Sequence, residues 1–234
     1  DFCLSRGLGD VYKRQEQKLL RKADNAAAGS IVVRTLSELK SVISHEYTGK
    51  IIIDGYINCG KEKIVLKPNQ KLCGVASVEG IKDNVRGKKS GLLFTQSGSE
   101  GGLLLENDCH LENLTLKTAV SNVEKEDNAA LIVCGCAKQV FFKNLDIQVN
   151  SRHAGCNRAF SAVRFAHTHT VCRWLGKNFI GDEAYGFGIV ALCGCRHSTY
   201  NADVQLDGSL NIRLYGQYGK ALYQLRLTAE HDAF

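Results

Sequence analysis

Between Ser151 and Arg173 the chain concentrates residues that bind anions and move protons: Arg152, His153, Arg158, Arg164, His167, His169 and Arg173. A guanidinium meets a carboxylate through two parallel N–H···O bonds, so such a segment suits acidic sugars. Imidazole titrates near neutral pH, which would let His167 or His169 carry a proton. If this segment is extended, alternation sets Arg164 on the face opposite Val163 and Phe165 and puts His167 and His169 on one common face. Further on, Asp182 and Glu183 follow Gly181 and offer the oxygen ligands that calcium takes. A plainer account fits each group: a solvated outer strand face with its loop for the Arg and His residues, and an acidic turn for the carboxylates.

The elements that must position these residues are short. Thr35-Leu36-Ser37-Glu38 has the form of a capping box, with Thr at the N-cap and Glu three residues on. Leu36, Leu39, Val42 and Ile43 follow at helical spacing, which predicts one amphipathic helix over 35–46. After Gly49 the pattern changes to apolar runs of three to five residues with Gly, Asn or Asp between them. The predicted strands are 51–53, 64–66, 92–94, 103–105, 111–116, 131–133, 140–142, 145–149, 163–165, 188–192, 204–206, 210–214 and 222–227. They are too short for an ordinary sandwich and too many for one sheet.

Asn113-Leu-Thr-Leu, Asn144-Leu-Asp-Ile and Asn201-Ala-Asp-Val share one form, and Asn178-Phe-Ile is a poorer copy, at spacings of 31, 34 and 23. A longer pair joins Leu131–Cys136 and 146–149 with Val190–Cys195 and 203–206. Inexact repeats of short strands at such periods point to a β-solenoid, in which each coil buries its face on the next. Coils stack ~4.8 Å apart. Asn113, Asn144 and Asn201 are therefore expected to form a structural ladder of bridging amides, with a ligand-binding row as the other reading. The two Cys-Gly-Cys motifs raise a metal site. Cys136 and Cys195 lie about two coils or roughly 10 Å apart, and zinc–sulfur bonds are ~2.3 Å, so stacked core thiols are expected instead.

Ser5 to Gln15 back-translates in frame to a transposase-type sequencing-library adapter, and residues 1–15 are read as adapter-derived rather than native. Residues 16–30 read as a disordered remnant, 31–228 as the folded domain and 229–234 as a tail. The chain has no Met. The true N-terminus is expected upstream, so the lack of a secretion signal carries no weight. The net charge of +6 becomes +5 without residues 1–15, which hold three cations and two carboxylates. That charge is scattered, which argues against a nucleic-acid partner. The densest basic stretch, Lys82–Lys89, reads as a solvated loop or a phosphate-binding patch. No apolar run approaches the ~20 residues of a membrane span. Outside the adapter, Cys59, Cys73, Cys109, Cys156 and Cys172 sit singly in apolar runs, as buried hydrophobes do, and favour a reducing compartment.

The helix followed by Lys50-Ile-Ile-Ile-Asp-Gly-Tyr-Ile57 and Leu66-Lys-Pro-Asn-Gln-Lys-Leu-Cys-Gly74 resembles the entry to a parallel β-helix of the pectate-lyase-like class. Gly135-Cys-Ala-Lys-Gln-Val-Phe-Phe-Lys-Asn-Leu-Asp-Ile147 is similar to a coil of that class. The resemblance covers about residues 31–228. It implies an all-β fold: a single-stranded right-handed parallel β-helix (solenoid) with an N-terminal amphipathic capping helix, of seven or eight coils at ~23 residues. It does not bring a reaction. The Arg-x-Pro-x-x-Arg and Trp-Ile-Asp-His elements of pectate lyases, and the Asp-Asp and Gly-His-Gly of polygalacturonases, have no counterpart here.

Two functions remain open. The first is a non-catalytic interaction protein that binds glycan or a cell-surface or host partner through its outer face and the loops at 79–101, 117–130 and 150–160. The second is a divergent polysaccharide lyase or glycoside hydrolase acting on acidic polysaccharide. In that case Arg152, Arg158, Arg164, His167 and His169 supply the weak catalytic candidates, and Asp182 and Glu183 would hold calcium. No other cofactor is evident. Co-location of these residues in one groove would favour the enzyme, and dispersion around the solenoid the binder.

Overall fold

Alternating burial in runs of three to six residues builds the strands. Ile51 and Ile53 are fully buried with Ile52 between them on the other face, and Ile64, Val65 and Leu66 repeat the pattern. A computed structural model describes residues 29–75, 90–95, 102–120, 130–135, 138–151, 160–166, 170–182, 189–193, 202–213, 220–223 and 225–229. The chain opens with β1 (Ser30–Val33) and helix α1 (Leu36–Ser44), then runs through six coils, four of three strands and two in which one long strand spans two faces. The first coil is β2 (Lys50–Ile53), β3 (Tyr56–Gly60) and β4 (Ile64–Leu66); the second is β5 (Lys71–Gly74), β6 (Gly91–Phe94) and β7 (Leu103–Leu105). The third is β8 (Cys109–Glu112), β9 (Thr115–Val120) and β10 (Ala130–Cys134); the fourth is β11 (Gln139–Lys143), β12 (Asp146–Ser151) and β13 (Phe160–Phe165). In the fifth, β14 (Val171–Asp182) bends through two faces before β15 (Ile189–Cys193). The sixth repeats this with β16 (Ala202–Arg213) and β17 (Lys220–Tyr223), and β18 (Leu225–Ala229) follows.

Every strand pairing is parallel. The pairings form three strips. Strip one is β1-β2-β5-β8-β11-β14-β16-β18, strip two is β3-β6-β9-β12 with the second halves of β14 and β16, and strip three is β4-β7-β10-β13-β15-β17. This predominantly β, parallel architecture fits a β-solenoid. Its interior is a set of columns. Ile31, Ile51, Leu72, Leu111, Phe142, Trp174, Leu206 and Ala229 share one register on strip one. Ile57, Leu92, Leu116, Ile147, Ile180 and Ile212 share another on strip two, and Ile64, Leu103, Ile132, Val163, Leu192 and Leu222 a third. Phe142 and Trp174 meet edge to face at 4.7 Å and 79°, a favoured arrangement of two quadrupoles.

The strip-one column advances by about 20 to about 40 residues per coil, so six coils, not seven or eight of ~23, separate Ile51 from Ala229. The extra residues of the longer coils lie in connections. Four strands absent from the sequence expectation also appear: β1, β3, β5 and β14. In the first three the outward residues include Ser30, Tyr56, Asn58 and Lys71, which break up the apolar runs. In β14, Gly176-Lys177-Asn178 reads as a turn, but pairs throughout with β16. Conversely, residues 111–116 are not one strand, because Asn113 takes a positive φ of 56° and turns the chain from β8 into β9.

Helix α1 begins at the expected capping box. Glu38 N–H donates to Thr35 Oγ1 at 3.2 Å, and Thr35 N–H donates to the Glu38 carboxylate at 3.2 Å. Its face of Leu39, Val42 and Ile43 enters the same core as the strands. The buried Gln70 side chain donates to the Ile43 carbonyl at 3.2 Å, tying the helix end to the second coil. No helix among the described residues is long and apolar enough to cross a membrane.

The corner between strips one and two is built on left-handed residues: Asn113 at φ 56°, Asn144 at 52° and Gly176 at 66°. Asn tolerates this region and Gly enters it without cost. Asn144 Nδ2 donates to Asn113 Oδ1 at 3.1 Å, and Asn144 Oδ1 accepts from Lys177 N–H at 2.9 Å. A Cβ at Gly176 would collide with Asn144 Oδ1. From β14 onward the corner is one residue longer, since Thr115, Asp146 and Phe179 are in register while Asn113 and Asn144 align with Gly176. The fully buried Asn178 fills the widened corner. Its Oδ1 accepts from Leu145 N–H at 2.9 Å, and its Nδ2 donates to Leu175 O at 3.0 Å.

Two outcomes follow for stability. Gly176→Ala must hold a left-handed alanine against Asn144, and should lower the unfolding free energy by about 1–3 kcal/mol in a denaturant titration; an unchanged midpoint would show that the corner yields. Burial pushes the thiols of Cys59 and Cys109 up to about 12 and that of Cys73 up to about 11. Iodoacetamide at pH 8 should therefore leave all three unmodified in the folded chain and label them once it is denatured. Peptide mass mapping reads the difference, and rapid labelling of the folded chain would contradict it.

Candidate functional site

The register places Arg164 and Arg173 on different strips. Arg164 stands on the outer face of strip three, half-buried, with Val163 and Phe165 fully buried on the inner side. Its outer column is otherwise apolar: Val65, Leu104 and Val133 precede it, and Cys193 and Tyr223 continue the register. Arg173 lies on the exposed face of strip one, one face further round the coil. Arg152, His153 and Arg158 fall in 152–159, between β12 and β13, and His167 and His169 fall between β13 and β14; these five lie outside the described residues. Asp182 is the last residue of β14, in register with Val149 of strip two, and Glu183 lies outside the described residues. Among the described residues no group of three or more His, Cys, Asp or Glu is placed to hold a metal ion.

The asparagine column passes from Asn113 and Asn144 to Gly176 and Gly208. Asn201 lies outside the described residues; the strand after it, from Ala202, belongs to strip one, whereas those after Asn113 and Asn144 belong to strip two. The Cys-Gly-Cys copies are likewise offset. Cys134 pairs with Phe165 of the inner column, but Cys193 pairs with Arg164 of the outer one, so the two copies are out of register by one residue. Cys136, Cys195 and the basic stretch 82–89 lie outside the described residues.

A feature that sequence reading missed stands on the outer face of strip one. Lys50, Lys71, His110, Phe141 and Arg173 occupy one register position in five successive coils, and Gln205 follows. Lys50, Lys71 and Arg173 are exposed, and His110 and Phe141 half-buried. Coil spacing makes the row about 19 Å long. The rings of His110 and Phe141 stack with centroids 4.3 Å apart and planes at 14°. The Arg173 guanidinium carbon sits 6.0 Å from the Phe141 centroid, on the edge of cation–π range. The row members are separated by unequal numbers of residues, and each looks in sequence like one more polar strand position. Only the register unites them.

Neighbouring carboxylates are engaged elsewhere. Glu112 pairs with Lys143 at 2.9 Å. Asp108 accepts from Gln139 Nε2 at 2.7 Å and from Asn107 Nδ2 at 2.6 Å. Burial, then the adjacent Lys71, holds the His110 imidazole below its ordinary 6.5, with Asp108 and Glu112 opposing.

Comparison of the chain with protein-family models, with curated proteins and with solved structures finds no match in any of the three.

The lowered His110 value carries a stability consequence. Folding favours the neutral ring, so the contribution of His110 is complete above pH 6.5 and is lost as the pH falls below it. Melting curves from pH 7 to pH 5 should show a decline that is shallower in His110→Gln. Parallel declines in the two chains would remove this role.

Proposed function

We propose that the chain is a non-catalytic interaction solenoid that holds a glycan or a cell-surface partner against its outer face and loops. The supporting observation is the dispersal of those candidate residues that are described, Arg164, Arg173 and Asp182. General acid–base chemistry needs its groups within hydrogen-bond reach of one reacting atom. Among the candidates that are described, Arg164 projects from strip three, Arg173 from strip one, and Asp182 ends strip two, so these three stand on different faces of the coil. A rigid stack of strands with outward side chains at fixed spacing suits recognition instead.

The finer fold assignment belongs to the same proposal. A right-handed coil of the pectate-lyase-like class is supported by the recurring order of strip one, short asparagine corner, strip two, longer connection and strip three. A capping role for α1 is supported by its apolar face, which joins the core beside β3 and β4.

The test incubates the full chain with uronate-rich polysaccharides, with and without calcium. It follows ultraviolet absorbance for unsaturated products and reducing ends for hydrolysis, and runs affinity electrophoresis in parallel. Retardation by a glycan without product is expected from a chain whose circular dichroism is β. Calcium-dependent product that disappears in Arg164→Ala would sink the non-catalytic reading.

A further inference from the structure

The outer faces of the three strips differ in kind. Strip three carries Val65, Leu104 and Val133 in the column of Arg164, and strip two presents Asn58, Lys117 and Gln148, with Gln148 Nε2 donating to the buried Asp146 at 2.7 Å. Strip one alone, among the described residues, lines up cations and rings along the solenoid axis. Lys50 stacks on Lys71, and Lys71 on His110, at the ~4.8 Å coil spacing set by the register. Like charges so placed repel, and nothing in the packing of the interior requires them, because they lie on the opposite face from Ile51, Leu72 and Leu111. Repulsion kept at a regular spacing on an exposed face is relieved by a ligand that carries negative charge at a comparable repeat. The His110–Phe141 stack gives the middle of the row an aromatic platform for the apolar face of a sugar ring. The stretch ends at β16, where the register sets Asp203 and Asp207 on either side of Gln205.

We propose that the row Lys50–Lys71–His110–Phe141–Arg173 on strip one is the contact surface for an anionic polysaccharide lying along the solenoid axis. This rests on the binding reading above and gives it a site and a ligand chemistry. Lys71, Lys50 and Arg173 pair with carboxylate or sulfate groups on successive sugars, and Phe141 with His110 packs against a ring between them. The groups that face His110 are Lys71 from β5, Asp108 and Glu112 beside it in its own coil, and Lys143, Phe141 and Arg173 beyond it. A polyanion adds negative charge to this set and makes the imidazole more basic, so binding takes up a proton and strengthens as the pH falls.

The experiment is a binding titration of the full chain with polygalacturonate, heparin, neutral dextran and an oligo-dT, each at low and at physiological salt. The variants are Lys71→Ala, Arg173→Ala, Phe141→Leu, His110→Asn and, off the row, the exposed Lys61→Ala, each checked by circular dichroism. Expected is binding to one or both acidic glycans, weakened by salt. Each row variant should weaken it about threefold to fivefold, with Lys61→Ala unchanged and dextran not bound. The uronate and sulfate arms say which anionic group the row takes. Affinity should rise from pH 7 to pH 5 in the parent chain and stay flat in His110→Asn. Acidic-glycan binding that survives the Arg173→Ala/Phe141→Leu double variant, or falls equally in Lys61→Ala, overturns the row and leaves the binding reading intact. Binding to dextran alone does the same. Tighter binding to oligo-dT through the same residues overturns the glycan assignment, and absence of binding to every probe overturns the inference and leaves only the cell-surface partner of that reading.

Discussion

Parallel stacking in register governs this molecule. Each strand pairs with the same strip of the coils before and after it, at ~4.8 Å, so the nearest neighbour of a side chain is the residue at its own position in the next coil. A column must then be chemically self-compatible along its length. Ile57, Leu92, Leu116, Ile147 and Ile180 meet that demand on strip two with residues of nearly one size. Strip one meets it with a change of size, from Leu111 to Phe142 and Trp174, where two rings meet edge to face.

The corners carry the same constraint in polar form. Where strip one turns into strip two, the backbone must enter the left-handed region in coil after coil, and only Asn, Asp and Gly do so readily. Asn113 and Asn144 use their side chains to bridge the coils. Gly176 cannot bridge, and the longer corner that begins there leaves Leu145 N–H to be satisfied by something other than the backbone. Asn178 supplies it from within the core. A change in corner length and the arrival of a buried amide are therefore one event: the inserted residue is what brings an acceptor to the orphaned donor.

This explains which parts were legible in the sequence. Thr35, Glu38 and the 3.6-residue spacing of Leu39, Val42 and Ile43 state a helix locally, and α1 appears where they put it. The apolar triplets state strands locally too. Register is not local. The Leu131–Cys136 and Val190–Cys195 segments look like copies, yet β15 pairs with β13 one residue away from that alignment, and one residue exchanges the two faces. Asn201 resembles Asn113 in sequence, yet the strand from Ala202 serves strip one, and the one after Asn113 serves strip two. Residues close in sequence run around the coil, so Arg164 and Arg173 come to lie on different strips, while residues close in space lie a whole coil apart.

The two faces of a strand consequently answer to different pressures. Inside, Leu72, Leu111 and Phe142 are set by packing, and their identities report the fold. Outside, the same strands place Lys71, His110 and Phe141 at positions where the fold asks only for a side chain that tolerates water and a neighbour at coil spacing. Neutral polar residues would satisfy both requirements. Two lysines and a histidine in successive coils do so at a cost in repulsion, and a half-buried phenylalanine does so at a cost in exposed apolar surface. A row that departs twice from what stability favours, in the one direction along which a solenoid can present a regular array, has the character of a surface shaped by something that binds it.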